Sequence, residues 1–209
     1  MNQRLRLGID FDNTIVTYDD IFCMTAPSFA KIDHSIGTKK REIRDYLRSL
    51  PDGERVWQRL QTYVYGKGIS DAKLFEGVGK FLHRCRSEAC DVVIVSHKTE
   101  FGCRDPHRVN LRQAALGWMR EQGFFCEGGY NIPEQNVFFE GTRAQKLARI
   151  AALGCTHFID DLEEVLNDPQ FPPNVSRILF SRSEKPQTLR YPVCRTWNEI
   201  EMLVFHDRY

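Results

Sequence analysis

Long apolar runs are missing from this chain of 209 residues. None approaches the roughly 20 consecutive apolar residues that cross a bilayer as a helix, so no membrane partner is expected. A dominant charge is missing too. The 29 Lys and Arg offset the 28 Asp and Glu to a formal net charge of +1, without the basic excess that marks a nucleic-acid partner or an anionic surface. C-x-x-C pairs are absent. The seven cysteines (Cys23, Cys85, Cys90, Cys103, Cys126, Cys155, Cys194) are scattered and odd in number, which excludes a disulfide framework and a conventional structural zinc site. His97, Cys103 and His107 offer part of a zinc loop but lack an apparent fourth ligand. The opening residues run directly into a strand pattern, without the apolar core of a secretory leader. These features together predict a reduced, cytoplasmic setting, and leave oligomeric state open.

What is present is ordinary globular material, with 42% hydrophobic and 27% charged residues. Short apolar runs at 5–11, 91–96, 137–139, 156–160 and 177–180 read as strands. Helical spacing lies between several of them. Val78, Phe81, Leu82 and Cys85 fall at i, i+3, i+4 and i+7. Leu111, Ala114, Ala115 and Trp118 repeat that spacing behind Asp105 as N-cap and Pro106 at the first helical position. Ala144, Leu147, Ala148 and Ala151 do so again, opened by a Thr142-x-x-Gln145 capping box and stopped before Gly154. Strands alternating with helices predict an α/β, Rossmann-like, doubly wound parallel sheet.

The stretch between the first two strands differs. Residues 18–71 carry helical signals and no convincing strand. Ile43, Tyr46, Leu47 and Leu50 form one apolar stripe after Thr38. Val56, Trp57, Leu60, Tyr63 and Val64 form another before Gly66, with Pro51-Asp52-Gly53 as the turn between. Such an insertion far exceeds a βα connection of about 2–6 residues. Placed after the first strand, it would overhang the sheet edge where open α/β folds bind ligands. We therefore expect a helical cap at 18–71 inserted into a core of 1–17 and 72–209.

Chemistry concentrates at Asp10-Phe11-Asp12-Asn13-Thr14, which ends the first strand. Carboxylates at i and i+2 of an extended chain share a side, and repel unless a cation is shared between them. Three features follow in order: Ser96 closing the strand Val92-Val93-Ile94-Val95, Lys146 in the first turn of its helix, and Asp160-Asp161 ending Thr156-His157-Phe158-Ile159. In a parallel sheet all three strand ends lie along one edge.

With these residues in this order, the chain resembles the haloacid dehalogenase (HAD) superfamily, phosphatase branch. The resemblance spans almost the whole chain, and the cap is loosely constrained by it. It implies Asp10 as the nucleophile that forms an aspartyl-phosphate, and Asp12 as general acid and then base. It implies Mg²⁺ held by Asp160, one oxygen of Asp10 and the backbone carbonyl of Asp12. Ser96 would then donate to the phosphoryl oxygens, and Lys146 would supply positive charge. Asp161 has two readings, a metal contact or an Asp-x-x-Glu cap for a helix at 162–166. Lys98, two residues after Ser96, rivals Lys146 or contacts substrate. In the cap, Arg41, Arg44 and Tyr65 are candidate substrate contacts, while Tyr63 is expected in the cap core. Thr14 is placed to support Asp10. The expected function is hydrolysis of a small phosphorylated metabolite, a sugar phosphate or nucleotide. The alternatives are a related phosphotransferase, phosphonatase or dehalogenase, or a non-catalytic phosphate-binding module.

Overall fold

The computed structural model describes residues 5–32, 37, 39–103, 108–182 and 190–206. Its strands are β1 (Arg6–Ile9), β2 (Val16–Thr17), β3 (Lys73–Leu74), β4 (Asp91–His97), β5 (Val137–Glu140), β6 (His157–Asp160), β7 (Ser176–Phe180) and β8 (Val193–Cys194). Six of them form one sheet in the order β5-β4-β1-β6-β7-β8, parallel at every pairing. The fold is therefore α/β and Rossmann-like. β2 and β3 pair separately as a short ribbon.

The strand order reverses between β1 and β6. From β1 the chain winds outward through β4 and β5, then returns to the other side of β1 for β6, β7 and β8. Right-handed crossovers that wind in opposite directions place helices on opposite faces, which explains why β4 is buried along five consecutive residues rather than alternating. The helices of this region are α4 (Val78–Ser87), α6 (Arg143–Ala152), α7 (Glu163–Leu166) and α8 (Trp197–His206). Val93, Val95, Leu147, Ile150, Phe158 and Leu179 share one core cluster. On α8, Trp197 meets Phe81 of α4 and Phe180 of β7 at 5.0 and 5.8 Å between ring centroids. This closing helix carries its own start signal, Thr196-x-x-Glu199, with the Glu199 amide donating to Thr196 Oγ1 at 3.2 Å.

Contacts divide the chain into two compact units. The α/β unit is Met1–Val16, Leu74–His97 and Gly123–Tyr209, and the second is Thr17–Lys73 with Lys98–Gln122. The second unit holds α1 (Asp19–Thr25), α2 (Lys40–Ser49), α3 (Gly53–Tyr65) and α5 (Leu111–Glu121). Ile43 and Leu47 of α2, and Trp57, Leu60 and Val64 of α3, are buried as their spacing predicts. Tyr63 departs from expectation: it is 41% exposed, at the end of the apolar stripe.

Assigning Lys98–Gln122 to this unit corrects the expected boundary, which left that segment in the core. The Trp118 indole of α5 is buried and donates to the Ala72 carbonyl at 3.1 Å, tying α5 to the helical segment. Amphipathic spacing shows that a helix has an apolar face, but not which surface covers it. The N-terminus of α5 is also corrected. Asn110 caps it, accepting from the Arg112 and Gln113 amides at 3.1 and 3.0 Å, whereas Asp105 and Pro106 lie outside the described residues, as do Thr38, Arg104 and His107.

Candidate active site

Asp10 follows β1 directly, and its amide donates to the Ile159 carbonyl of β6 at 2.9 Å. Asp160 closes β6. The two carboxylates therefore sit at the carboxyl ends of neighbouring strands, at the point where the winding reverses and open α/β sheets leave a crevice. After Asp10 the chain turns tightly: the amides of Ile15 and Val16 both donate to the Phe11 carbonyl, at 3.0 and 3.2 Å. Asn13 takes φ +62° there, a left-handed position that asparagine tolerates better than most residues. Thr14, brought back by the turn, donates its hydroxyl to Asp10 Oδ2 at 3.4 Å.

Lys146 reaches this point from the first turn of α6. Thr142 Oγ1 caps that helix by accepting the Gln145 amide at 3.2 Å, while Gln145 Oε1 reaches back to the Gly141 amide at 3.1 Å. The Lys146 side chain is 1% exposed. Its ammonium donates to Asp10 Oδ1 at 2.7 Å and to Asp160 Oδ2 at 2.6 Å, and lies 5.4 Å from the Phe158 ring centroid. Gly8 makes room for that ring: a Cβ there would stand 2.5 Å from Phe158 Cδ2. Neither Gly8 nor Phe158 was singled out from the sequence; a glycine inside an apolar strand was the available signal.

Burial alone would lower the Lys146 pKa, but Asp10 and Asp160 outweigh it and hold the ammonium well above the ordinary lysine range. Asp10 is pushed up to about 7. Burial is the largest cause; Lys146 opposes it, and Asp160 and Asp12 add to it. One lysine does not neutralise this many acids.

Asp161 completes the cluster. One carboxylate oxygen each from Asp10, Asp160 and Asp161 lies within 4.8 Å of the others. The capping reading of Asp161 is corrected: α7 starts at Glu163 behind Leu162, with no side-chain cap. Asp160 Oδ1 accepts the Leu162 amide at 2.9 Å, and Asp161 Oδ1 faces the Thr14 hydroxyl at 3.5 Å. Asp12 is half-buried beside Asp10. Ser96 is buried on β4, level with Phe139 of β5. The donor set suits a hard divalent cation, since it is all oxygen and carries negative charge in excess of Lys146. His97 instead has its Nε2 3.0 Å from the Gly141 carbonyl.

The helical-unit candidates fare unequally. Arg41 and Arg44 both pair with Asp45, at 3.7 and 2.7 Å, and Arg41 is largely exposed. Tyr65 is packed by Tyr18 and Phe22, at 4.8 and 5.9 Å between centroids. Two ammonium groups converge on its ring: Lys98 at 4.9 Å and Lys40 at 5.4 Å. Lys98 is buried. Lys40 belongs to the basic run Lys39-Lys40-Arg41 that the sequence offered for a second anionic group, but nothing in local spacing singled it out from Lys39.

Comparison with solved structures completes the assignment of the fold. A haloacid dehalogenase-like hydrolase of Streptococcus pneumoniae aligns over 98% of this chain and 100% of its own, at 14% identity and a TM-score of 0.63. The chain has the haloacid dehalogenase-like fold. Protein tyrosine kinase A of Mycobacterium tuberculosis matches with the same coverage, identity and TM-score. A predicted phosphoglycolate phosphatase of Haemophilus somnus matches over 98% of this chain and 99% of its own, at 12% identity and 0.59. No family model and no curated protein matches the sequence. The names attached to the haloacid dehalogenase-like fold thus include a hydrolase, a kinase and a phosphatase, so the activity must be argued from the site.

Proposed function

We propose that this protein is a Mg²⁺-dependent hydrolase of phosphoric monoesters, acting on a small phosphorylated metabolite such as a sugar phosphate or nucleotide. The observation that carries the reading is the buried Lys146 ammonium clamped between Asp10 and Asp160, beside Asp161, at the reversal point of a parallel sheet. A net this costly to bury is expected where it serves chemistry rather than stability.

Asp10 attacks phosphorus, the bond to the leaving oxygen breaks, and Asp12 gives that oxygen its proton. Asp12 then takes a proton from water, which attacks phosphorus and breaks the bond to Asp10, releasing inorganic phosphate. Ser96 donates to a phosphoryl oxygen. Lys146 holds the Asp10 carboxylate in place and opposes negative charge as it builds during transfer. Asp10, Asp160 and Asp161 would hold Mg²⁺, which when bound offsets the repulsion between phosphate and carboxylate. Lys98, Lys40 and Tyr65 are the groups of the helical unit best suited to a substrate's second anionic or ring moiety.

The test is a panel of phosphorylated metabolites assayed with Mg²⁺ and again with EDTA. Phosphate release that needs the cation supports the reading. Turnover surviving exhaustive chelation contradicts the metal assignment, and inactivity across the whole panel favours a phosphate-binding module.

A further inference from the structure

The α/β unit contains a second group of reactive side chains, assembled by the end of α4 rather than by the strand tips. The helix closes with the Cys90 amide donating to the Cys85 carbonyl at 2.8 Å and the Ala89 amide to the Arg86 carbonyl at 3.1 Å. Ala89 takes φ +51°. This is the paired closure of a Schellman motif, and it brings the backbones of the residues at its two ends close together. Here both are cysteines. The Cys90 thiol donates to the Glu88 carbonyl at 3.9 Å.

The backbone bond also limits their separation. A carbonyl oxygen lies about 2.4 Å from its own Cα and an amide nitrogen about 1.5 Å from its own, so the two Cα atoms are at most about 6.7 Å apart. That falls inside the span of roughly 4.4–6.8 Å that a disulfide bridges. Cys85 is buried and Cys90 half-buried. Both line a cavity of about 260 Å³ with Arg86, Asp91, Tyr130 and Asn131. Asp91 is engaged by Arg6 at 2.6 Å, and Arg86 donates to the Gly129 carbonyl at 2.8 Å. The neighbouring Cys90 and then burial push the Cys85 thiol above the usual cysteine range, and Cys90 is the more accessible of the two, so Cys90 is the thiol that reacts first.

We propose that Cys85 and Cys90 form a thiol–disulfide exchange site for low-molecular-weight disulfides. The Cys90 thiolate attacks one sulfur of the reagent, forming a mixed disulfide seated at the cavity and releasing the first small thiol. Cys85, losing its proton to solvent, then attacks the Cys90 sulfur; the internal disulfide forms and the second small thiol leaves. The two cysteines are oxidised by two electrons as one reagent disulfide becomes two thiols. Of the other cysteines, Cys103 and Cys126 are exposed, and each is expected to end as a mixed disulfide with the reagent.

The test treats the full chain with excess oxidised glutathione, quenches in acid, alkylates free thiols and maps the products by mass spectrometry. An internal Cys85–Cys90 bridge, reversed by dithiothreitol, is expected, with glutathione retained on Cys103 and Cys126. Cys85→Ala should trap the glutathione adduct on Cys90, and Cys90→Ser should leave Cys85 reduced. Reduced, alkylatable Cys85 and Cys90 in protein whose Cys103 and Cys126 are fully modified would overturn the proposal and leave the pair as packing. So would modification of Cys85 at an undiminished rate in Cys90→Ser.

Discussion

The two units differ in where their charges meet. In the α/β unit, Lys146, Asp10 and Asp160 are buried and bonded to one another, each delivered by a strand end or the first turn of a helix. In the helical unit, charges pair locally along exposed surfaces: Arg41 and Arg44 with Asp45, and Arg48 with Glu54. Its Lys98 is buried too, with its ammonium 4.9 Å from the centroid of the Tyr65 ring. The difference teaches where each unit can act. A buried net exerts strong, fixed fields at low dielectric and suits bond-making. A ring flanked by ammonium groups suits recognition, where shape and a second charge are read.

The largest expected effects break the buried net. Lys146→Met leaves Asp10 and Asp160 facing each other without their shared cation. The loss of folding stability should be about 3–5 kcal/mol in urea melts run in EDTA, with part of it recovered on adding Mg²⁺. Asp10→Asn should behave oppositely. Removing a charge from a crowded acidic site should leave stability unchanged or raised, while activity falls by at least about a thousandfold. A destabilised Asp10→Asn would show that the net is structural rather than catalytic.

The next effects sharpen the comparison. Lys98→Met and Lys40→Met should each reduce kcat/KM for the best metabolite by roughly 10- to 100-fold, and for a simple aryl phosphate by about threefold or less. Equal losses on both substrates would move these lysines from recognition to support of the fold. Arg41→Ala and Arg44→Ala should change either substrate by less than about twofold, since exposed ion pairs contribute about 0–1 kcal/mol.

The smallest effect lies on α8. Burial alone would raise the Glu201 carboxyl, but Lys80 and Arg84, at 3.0 and 3.1 Å, hold it below the usual glutamate value of 4.5. A depressed folded-state pKa stabilises fully above the unfolded value and is lost as pH falls through the folded one. Glu201→Gln should therefore cost about 1 kcal/mol near neutrality, discounted because Lys80 is mostly exposed. The difference from wild type should vanish in acid below the glutamate range. A penalty that persists there would assign the effect to packing.

How much was legible in the sequence follows the same division. Strand ends fix side chains through the main chain, so Asp10, Ser96 and Asp160 could be placed once the parallel sheet was recognised, whereas Lys146 is preferred to Lys98 on the family resemblance, its capping box marking only the helix start. Thr14 followed from the turn. In the helical unit, surface side chains are long and choose partners by local charge, so the pairing of Arg41 and Arg44 with Asp45 could not be read from spacing. The burial face of α5 and the exposure of Tyr63 depend on how helices pack, which periodicity does not specify. The Asp161 cap failed for a different reason. Leu162, which has no capping side chain, occupies the N-cap of α7, one residue later than the Asp-x-x-Glu spacing implied.

The central claim is that Asp10 carries the phosphoryl group. Rapid mixing with a radiolabelled ester, acid quench and reduction with borohydride should convert the labelled residue to homoserine at position 10, with a burst that precedes steady-state release. Asp10→Asn should show no burst. Label on any other residue, or turnover without a covalent phosphoenzyme, would contradict the account.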